Sequence, residues 1–284
     1  MTAIDFAPAP HVAARPITIT NRGTAFTAFA ALLLRDFTVL RRNLVEFLPR
    51  VVLQPLLLVF VFTYVFPQIG QGIGGAGSAS STFSTLLVAG VIGTSIIFQG
   101  MQSTALPLVQ EFGITKEIED RVLAPLALSM VAVEKIVAGA LQCLLAALVV
   151  FPIAWVVPAT PVHLHVHWLL LITIAPIACV SSAALGLTFG TIFKPRTVPI
   201  LFGVIVVPIT FLGCVYYPWS SLAPIPWLKW VVLVNPLVYV CEGFRAALTD
   251  SAHMPLWGVY GGLLGFAVAF TSIGIHFFTQ RVLS

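Results

Sequence analysis

NPLVYVCEGFRAALT, residues 235–249, places Glu242 and Arg245 three positions apart, between two runs apolar enough to cross a membrane. Either both charges lie in lipid or this segment does not cross. The surrounding chain decides. Of 284 residues, 59% are hydrophobic and 8% charged, against about 25% charged in an ordinary soluble domain. A water-soluble fold cannot bury that much apolar surface, so lipid is the solvent for most of this chain.

Six stretches reach the roughly 20 helical residues that span a bilayer core: 48–66, 84–106, 136–157, 168–193, 197–217 and 256–279. Pro55, Pro152, Pro176 and Pro208 lie inside them and predict kinks, which membrane helices tolerate when neighbours satisfy the freed carbonyls. The spacings Gly186/Gly190 and Gly258/Gly262 predict close backbone approach within one subunit.

The 14 Lys and Arg residues set the orientation. With a cytosolic N-terminus, Arg15, Arg22, Arg35, Arg41, Arg42, Arg50, Lys116, Arg121, Lys135, Lys194, Arg196 and Arg281 fall inside, and only Lys229 and Arg245 outside. This positive-inside bias predicts that both termini are cytosolic. A seventh span over 222–244 would send Arg281 outside and bring Lys229 and Glu242 into or near lipid. A central charge costs about 2.5–3.5 kcal/mol even on the lenient insertion scale. Pro224, Pro226 and Pro236 would also interrupt that helix. The segment is therefore predicted to re-enter from outside as two short helices, 219–233 and 236–249, turning at Asn235-Pro236. Glu242 and Arg245, at i and i+3, are expected to pair on one face that water still reaches.

Two pieces are assigned to the inner side. Residues 24–46 set Phe26, Phe29, Leu33, Phe37, Leu40 and Leu44 against Arg35, Thr38, Arg42 and Glu46, the pattern of an interfacial amphipathic helix. EFGITKEIEDRVLAPLALSMVAVEK, 111–135, sets Ile114, Ile118, Val122 and Leu126 against Glu111, Thr115, Glu119 and Asp120. This predicts an ordered helix docked under the membrane. Residues 1–23 are polar, lack the apolar core of a secretory signal, and are expected to form a disordered cytosolic tail. Residues 24–284 read as one all-α polytopic domain.

These stretches, in this order, resemble the permease subunits of type-2 ABC exporters, the family that includes the daunorubicin-resistance permeases. Glu111, Gly113, Glu117, Arg121, Leu123 and Pro125 follow that family's inner loop between spans two and three. Asn235, Pro236, Leu237, Tyr239, Arg245 and Leu248 follow its Asn-Pro-Leu-x-Tyr…Arg-x-x-Leu segment before the last span. FLGCVYYPWSSLAPIPWLKWVVLVNP matches its aromatic and proline-rich approach to a re-entrant hairpin. The chain departs in the inner loop, where Gly113-Ile114-Thr115 stands for the family's Gly-Thr. The resemblance implies a homodimer, or pairing with a second similar permease, above two copies of a separate cytosolic ATPase that carries ATP and Mg. It also implies a coupling helix at 111–126 and an outer gate at Asn235, Pro236, Tyr239, Glu242 and Arg245. ATP-driven closure of the ATPase pair would switch access from inward to outward, with localisation to the plasma membrane.

No GxxxxGK[ST] loop occurs, so the chain itself is expected to bind no nucleotide, and it is not read as an enzyme. Gly72, Gly74 and Gly77 spell GxGxxG, but in an outer loop between membrane helices, where a Gly/Ser linker accounts for them. HLHVH (His163, His165, His167) could set imidazoles on one face for zinc or pH sensing. With no Cys, Asp or Glu within ten residues, an interfacial loop without metal is preferred. Cys143, Cys179, Cys214 and Cys241 read as small core residues. A Cys214–Cys241 bridge is the one pairing their membrane depth allows.

Phe98, Gln99, Gln102, Thr210, Phe211 and Tyr216 would wall a cavity for apolar cargo with a few polar groups, or would be lipid-facing aromatics with interhelical hydrogen bonds. Nothing resembles a catalytic cluster, and no role for nucleic acid is expected. The leading expectation is an ATP-driven exporter subunit for an amphipathic or lipid-like molecule. Export of a lipid-linked polysaccharide or teichoic-acid-type polymer is the alternative. An ion-coupled secondary transporter is the reading from another class, disfavoured by the absence of mid-span charge and of inverted repeats.

Overall fold

The computed structural model describes residues 22–65, 78–113, 127–156, 164–193 and 197–283. Among these residues it is all-helical. The elements are α1 (Arg22–Arg42), α2 (Leu44–Phe60) running into a π-helical turn (Val61–Val65), α3 (Ser78–Gly113), α4 (Leu128–Val156), α5 (Trp168–Ile192) and α6 (Val198–Phe211). Short 3-10 turns at Trp219–Leu222 and Val232–Val234 bracket α7 (Pro226–Val231), and α8 (Pro236–Leu248) and α9 (Leu256–Leu283) complete the chain.

Four stretches are each long and apolar enough to cross a membrane: Phe83–Gly113, Leu128–Pro152, Trp168–Ile192 and Leu256–Leu283. Two more qualify only as bent pairs, Phe26–Arg42 with Phe47–Phe60 at 85° and Pro226–Val234 with Pro236–Leu248 at 99°. The first of these angles matches an α1 lying across the end of α2. Asn43 breaks the two helices, so Leu44 and Glu46 belong to α2 and not to the expected amphipathic helix. On α1, Phe26 and Phe37 are exposed while Leu40 is buried.

Helix ends differ from the sequence expectation in informative ways. α3 has 36 residues, or about 54 Å at 1.5 Å per residue. It runs through Pro107 to Gly113, well past the expected end at 106. α4 begins eight residues before the expected 136, so Glu134 and Lys135 are helical and buried. The fifth expected span, 197–217, is helical only to Phe211. Beyond it Cys214 takes φ 53°, a left-handed conformation that costs a non-glycine residue on the order of 1 kcal/mol, and the chain turns. Pro55, Pro152, Pro176 and Pro208 all sit inside helices that continue past them.

The core is α3, α4, α5, α8 and α9. Its directions follow from residue pairs. α3 and α5 run parallel, because Gly186 packs on Met101 and Gly190 on Ala105 and Leu108. A Cβ on Gly186 would stand 2.5 Å from the Met101 carbonyl oxygen, so this glycine sets how near the two helices lie. α5 and α9 are also parallel: Thr173 meets Tyr260 near their starts and Arg281 meets Gly190 near their ends. α4 is antiparallel to α3, with Lys135 at Glu111, Ser103 donating to the Gly139 carbonyl and the Cys143 thiol to that of Ile96. At the opposite end of α3, Val59 of α2 packs on Leu87 and Val91. Gly262 of α9 receives the Tyr239 ring, whereas Gly258 faces Met254.

Candidate functional site

α8 owes its start to Asn235, whose side-chain oxygen accepts from the Leu237 amide at 3.0 Å, with Pro236 at the first helical position. The Asn235 amide also donates to the Ile209 carbonyl at 2.7 Å, tying the helix start to the end of α6. The other end of α8 stops at Thr249, which hydrogen-bonds back to the Arg245 carbonyl. Except at Tyr239, the whole helix is buried. Gly243 lies against Ile174 of α5 and Val259 of α9, and Cys241 against Gly93 of α3.

Glu242 and Arg245 pair inside this packing, and both side chains have 0% exposure. The expectation of a water-reached pair is thereby corrected. Three helices close over the face that a hairpin at the lipid boundary would otherwise leave open. Burial of this kind demands satisfied partners. Glu242 Oε1 accepts from Arg245 and from the Trp219 amide (2.8 Å), and Oε2 accepts from the Met254 amide (2.6 Å). Arg245 also donates to the Cys214 carbonyl at 2.9 Å, while its Nε has no partner. The unusual backbone of Cys214 thus presents an acceptor to a buried cation. Four chain segments meet on one ion pair: 214, 219, α8 and 254. Trp219 is held in turn by its indole N–H on the Lys229 carbonyl (3.0 Å), with the Lys229 ammonium 4.3 Å above its ring. Tyr239 donates to the Leu233 carbonyl at 3.0 Å. Asn235, Pro236, Tyr239, Glu242 and Arg245 are therefore one assembly. The backbone partners Trp219, Met254 and Cys214 carry no sequence signal.

A second charged cluster lies near the last described residues of α3. Lys135 reaches Glu111 at 2.6 Å and Asp36 at 3.3 Å, with side-chain exposures of 4%, 8% and 14% respectively. Glu111 thus points into the protein. Gly113 is the last described residue of α3, while Glu117, Arg121, Leu123 and Pro125 lie outside the described residues.

Phe98, Gln99 and Gln102 line a recess with Val51, Pro55, Ser95, Ala146, Ala147 and Val150, between α2, α3 and α4. Thr210, Phe211 and Tyr216 are elsewhere. Thr210 bonds back to the Val206 carbonyl, Phe211 is exposed, and Tyr216 packs near Phe62, Leu87 and Val91. The six expected cavity residues therefore split into two groups.

Of the histidines, His163 lies outside the described residues. His165 and His167 flank Asp250 at 3.3 and 3.2 Å, an acid brought from 83 positions away in sequence. Their backbone amides donate to the Leu248 and Ala247 carbonyls, fastening this strap to the end of α8. Each imidazole meets a different carboxylate oxygen, and no group of three potential ligands converges on a metal among the described residues. The four cysteines are buried free thiols, so Cys214 and Cys241 are not bridged.

Residues 27–249, from α1 through α8, match the family model of ABC-2 type transporters. The chain belongs to the ABC-2 type transporter family. It is similar to the inner membrane transport permease YadH of Escherichia coli strain K12, with 26% identity over 218 residues covering 75% of this chain and 82% of YadH. The YadH of Shigella flexneri matches to the same extent. This ABC-2 chain is thus a multi-pass membrane permease of an ABC transporter, and the ion-coupled reading falls away. The charged residues of both clusters lie within the matched region, with Met254 just beyond it; the recess lies within it too.

Proposed function

We propose that this chain is the membrane-spanning subunit of an ATP-driven exporter that moves an amphipathic or lipid-like small molecule outward. It works as a homodimer or beside a second similar permease, above two cytosolic ATPase subunits that hold ATP and Mg. The observation that carries the reading is the family match over 27–249. The segment 114–126, with Glu117, Arg121, Leu123 and Pro125, engages the ATPase from its position directly after α3.

Residues 219–249 form an outer re-entrant gate. Support comes from helix directions. α5 and α9 are parallel, so the chain between them makes one net crossing. Asn235 bonds to Ile209 at the end of α6 and Tyr239 packs on Gly262, six residues into α9. The turn then lies about 9 Å below the start of α9, which fits a re-entrant segment if α6 and the turns that follow it carry the crossing. Both termini are then cytosolic, a reading that the distribution of Lys and Arg supports.

The cargo class rests on the recess between α2, α3 and α4, which has apolar walls and no charged lining residue. The amides of Gln99 and Gln102 there have no hydrogen-bond partner among the described residues.

The test is co-purification of an ABC ATPase with the permease, followed by ATP turnover. Glu117→Ala and Arg121→Ala are expected to weaken association modestly, as charges at an interface rim do. Leu123→Ala should cost about 2 kcal/mol or more, as loss of a buried anchor does. If all three variants hold and stimulate the ATPase like wild type, the coupling assignment fails.

A further inference from the structure

The last described turn of α3 is held from two sides. Glu111 and Phe112 are consecutive, so their side chains leave the helix about 100° apart. On the Glu111 side stands Lys135 of α4, which also reaches Asp36 of α1. On the Phe112 side stands Arg281 of α9, its guanidinium carbon 4.6 Å above the ring, with Phe278 packed edge-on at 6.0 Å. The same guanidinium donates to the carbonyls of Gly190 (3.0 Å), Thr191 (3.1 Å) and Phe193 (2.8 Å). These include acceptors that the end of α5 leaves without intrahelical partners, and a cation there also favours the negative end of the helix dipole. Lys135 therefore joins α3 to α1 and α4, and Arg281 joins it to α5 and α9. One residue further, Gly113 is the last described residue before the segment that leads to α4.

From this we infer that Lys135 and Arg281 are positioning residues, which fix this turn of α3 and pass displacement of segment 114–126 to the helices on either side. The inference rests on the reading that this segment engages the ATPase. Its physical basis is the cost of slippage. Lys135 is desolvated with two carboxylates, so moving α3 without α1 and α4 would separate charges where water does not screen them. Arg281 bonds all three carbonyls through one nitrogen, Nη1, while its guanidinium carbon stands over the Phe112 ring, so one planar group spans both contacts where a lysine ammonium, a point charge, serves the carbonyls alone. α3 therefore moves with its neighbours instead of sliding past them. Lys135 follows Glu134 in the second turn of α4 and Arg281 lies in the last turn of α9, and neither belongs to the motifs that carry the family resemblance.

Two measurements separate this inference from the reading beneath it. The first needs no ATPase. Hydrogen exchange across residues 108–113 of the purified permease should speed up at least tenfold in Lys135→Met and in Arg281→Gln, with α8 unchanged. Lys135→Arg should restore protection and Arg281→Lys should not. Unchanged protection of 108–113 in both deletion variants overturns the grip. So does equal loosening of α8, which would mean general destabilisation.

The second measurement is ATP turnover with the ATPase bound. Both deletion variants should retain the ATPase within about twofold, while the stimulation of turnover by the permease falls at least fivefold. Full stimulation in both variants overturns the transmission role. If wild-type permease holds no ATPase at all, the exporter reading fails, and with it transmission, while the exchange result still decides the grip.

Discussion

Glu242 and Arg245 form an ion pair with no exposed surface on either side chain, and Glu242 also accepts the backbone amides of Trp219 and Met254. The pair therefore joins the chain before α7, α8 itself and the chain leading into α9. Breaking a buried pair by removing one partner costs about 3–5 kcal/mol, because an uncompensated charge remains. Arg245→Ala is expected to destabilise by that amount, seen as a lower Tm in detergent. Glu242→Gln should be milder than Glu242→Ala, since its amide oxygen can still accept one backbone bond. A Tm within error of wild type for Arg245→Ala would contradict the buried pair.

The course of residues 212–255 predicts which positions an outside reagent reaches. Ser221 and Ala252 are exposed, whereas Thr249 is 2% exposed. Ser221→Cys and Ala252→Cys, in a background without the four native thiols, should both react with an impermeant thiol reagent added outside intact cells. Thr249→Cys should react slowly from either side. Labelling of Ala252→Cys only after permeabilisation would make 226–248 a crossing and reject the gate.

Glycine substitutions test the helix contacts. Gly186→Ala would put a Cβ 2.5 Å from the Met101 carbonyl oxygen, whereas Gly265 has nothing within 4 Å. Overpacking costs about 1–3 kcal/mol, so Gly186→Ala should lower Tm. Gly265→Ala should be neutral or stabilising by up to about 1 kcal/mol through helix propensity. Equal Tm values for the two variants would count against the α3–α5 contact.

The strap at His165 and His167 should matter little to stability. Their ring contacts with Asp250 are exposed, and such pairs contribute about 0–1 kcal/mol. Asp250→Asn should leave Tm nearly unchanged, because the two backbone bonds to Leu248 and Ala247 remain. Unchanged exchange at the His165 and His167 amides is the accompanying check. A large loss of protection there would mean that the carboxylate, not the backbone, holds the strap.

Low charge, apolar run lengths and Asn235-Pro236 were enough to read a helical membrane protein with a bend inside 219–249, because these depend on local solvation and local backbone chemistry. The family was legible in the order of its motifs. The amides of Gln99 and Gln102 were legible as polar groups on an apolar helix, but their separation from Thr210, Phe211 and Tyr216 was not.

The sequence by itself determined that lipid is the solvent, that the long apolar runs are largely helical, that the chain bends at Asn235-Pro236, and that Glu242 and Arg245 share a helical face. Those properties follow from composition, period and proline. Only the tertiary structure decided that the Glu242–Arg245 pair is buried, that Glu111 turns inward to Lys135, that Asp250 meets two histidines and that Arg281 closes α5. Each of these depends on contacts between residues from 24 to 91 positions apart in the chain, or on which neighbouring helices exclude water. A local pattern names the charge; packing selects its partner.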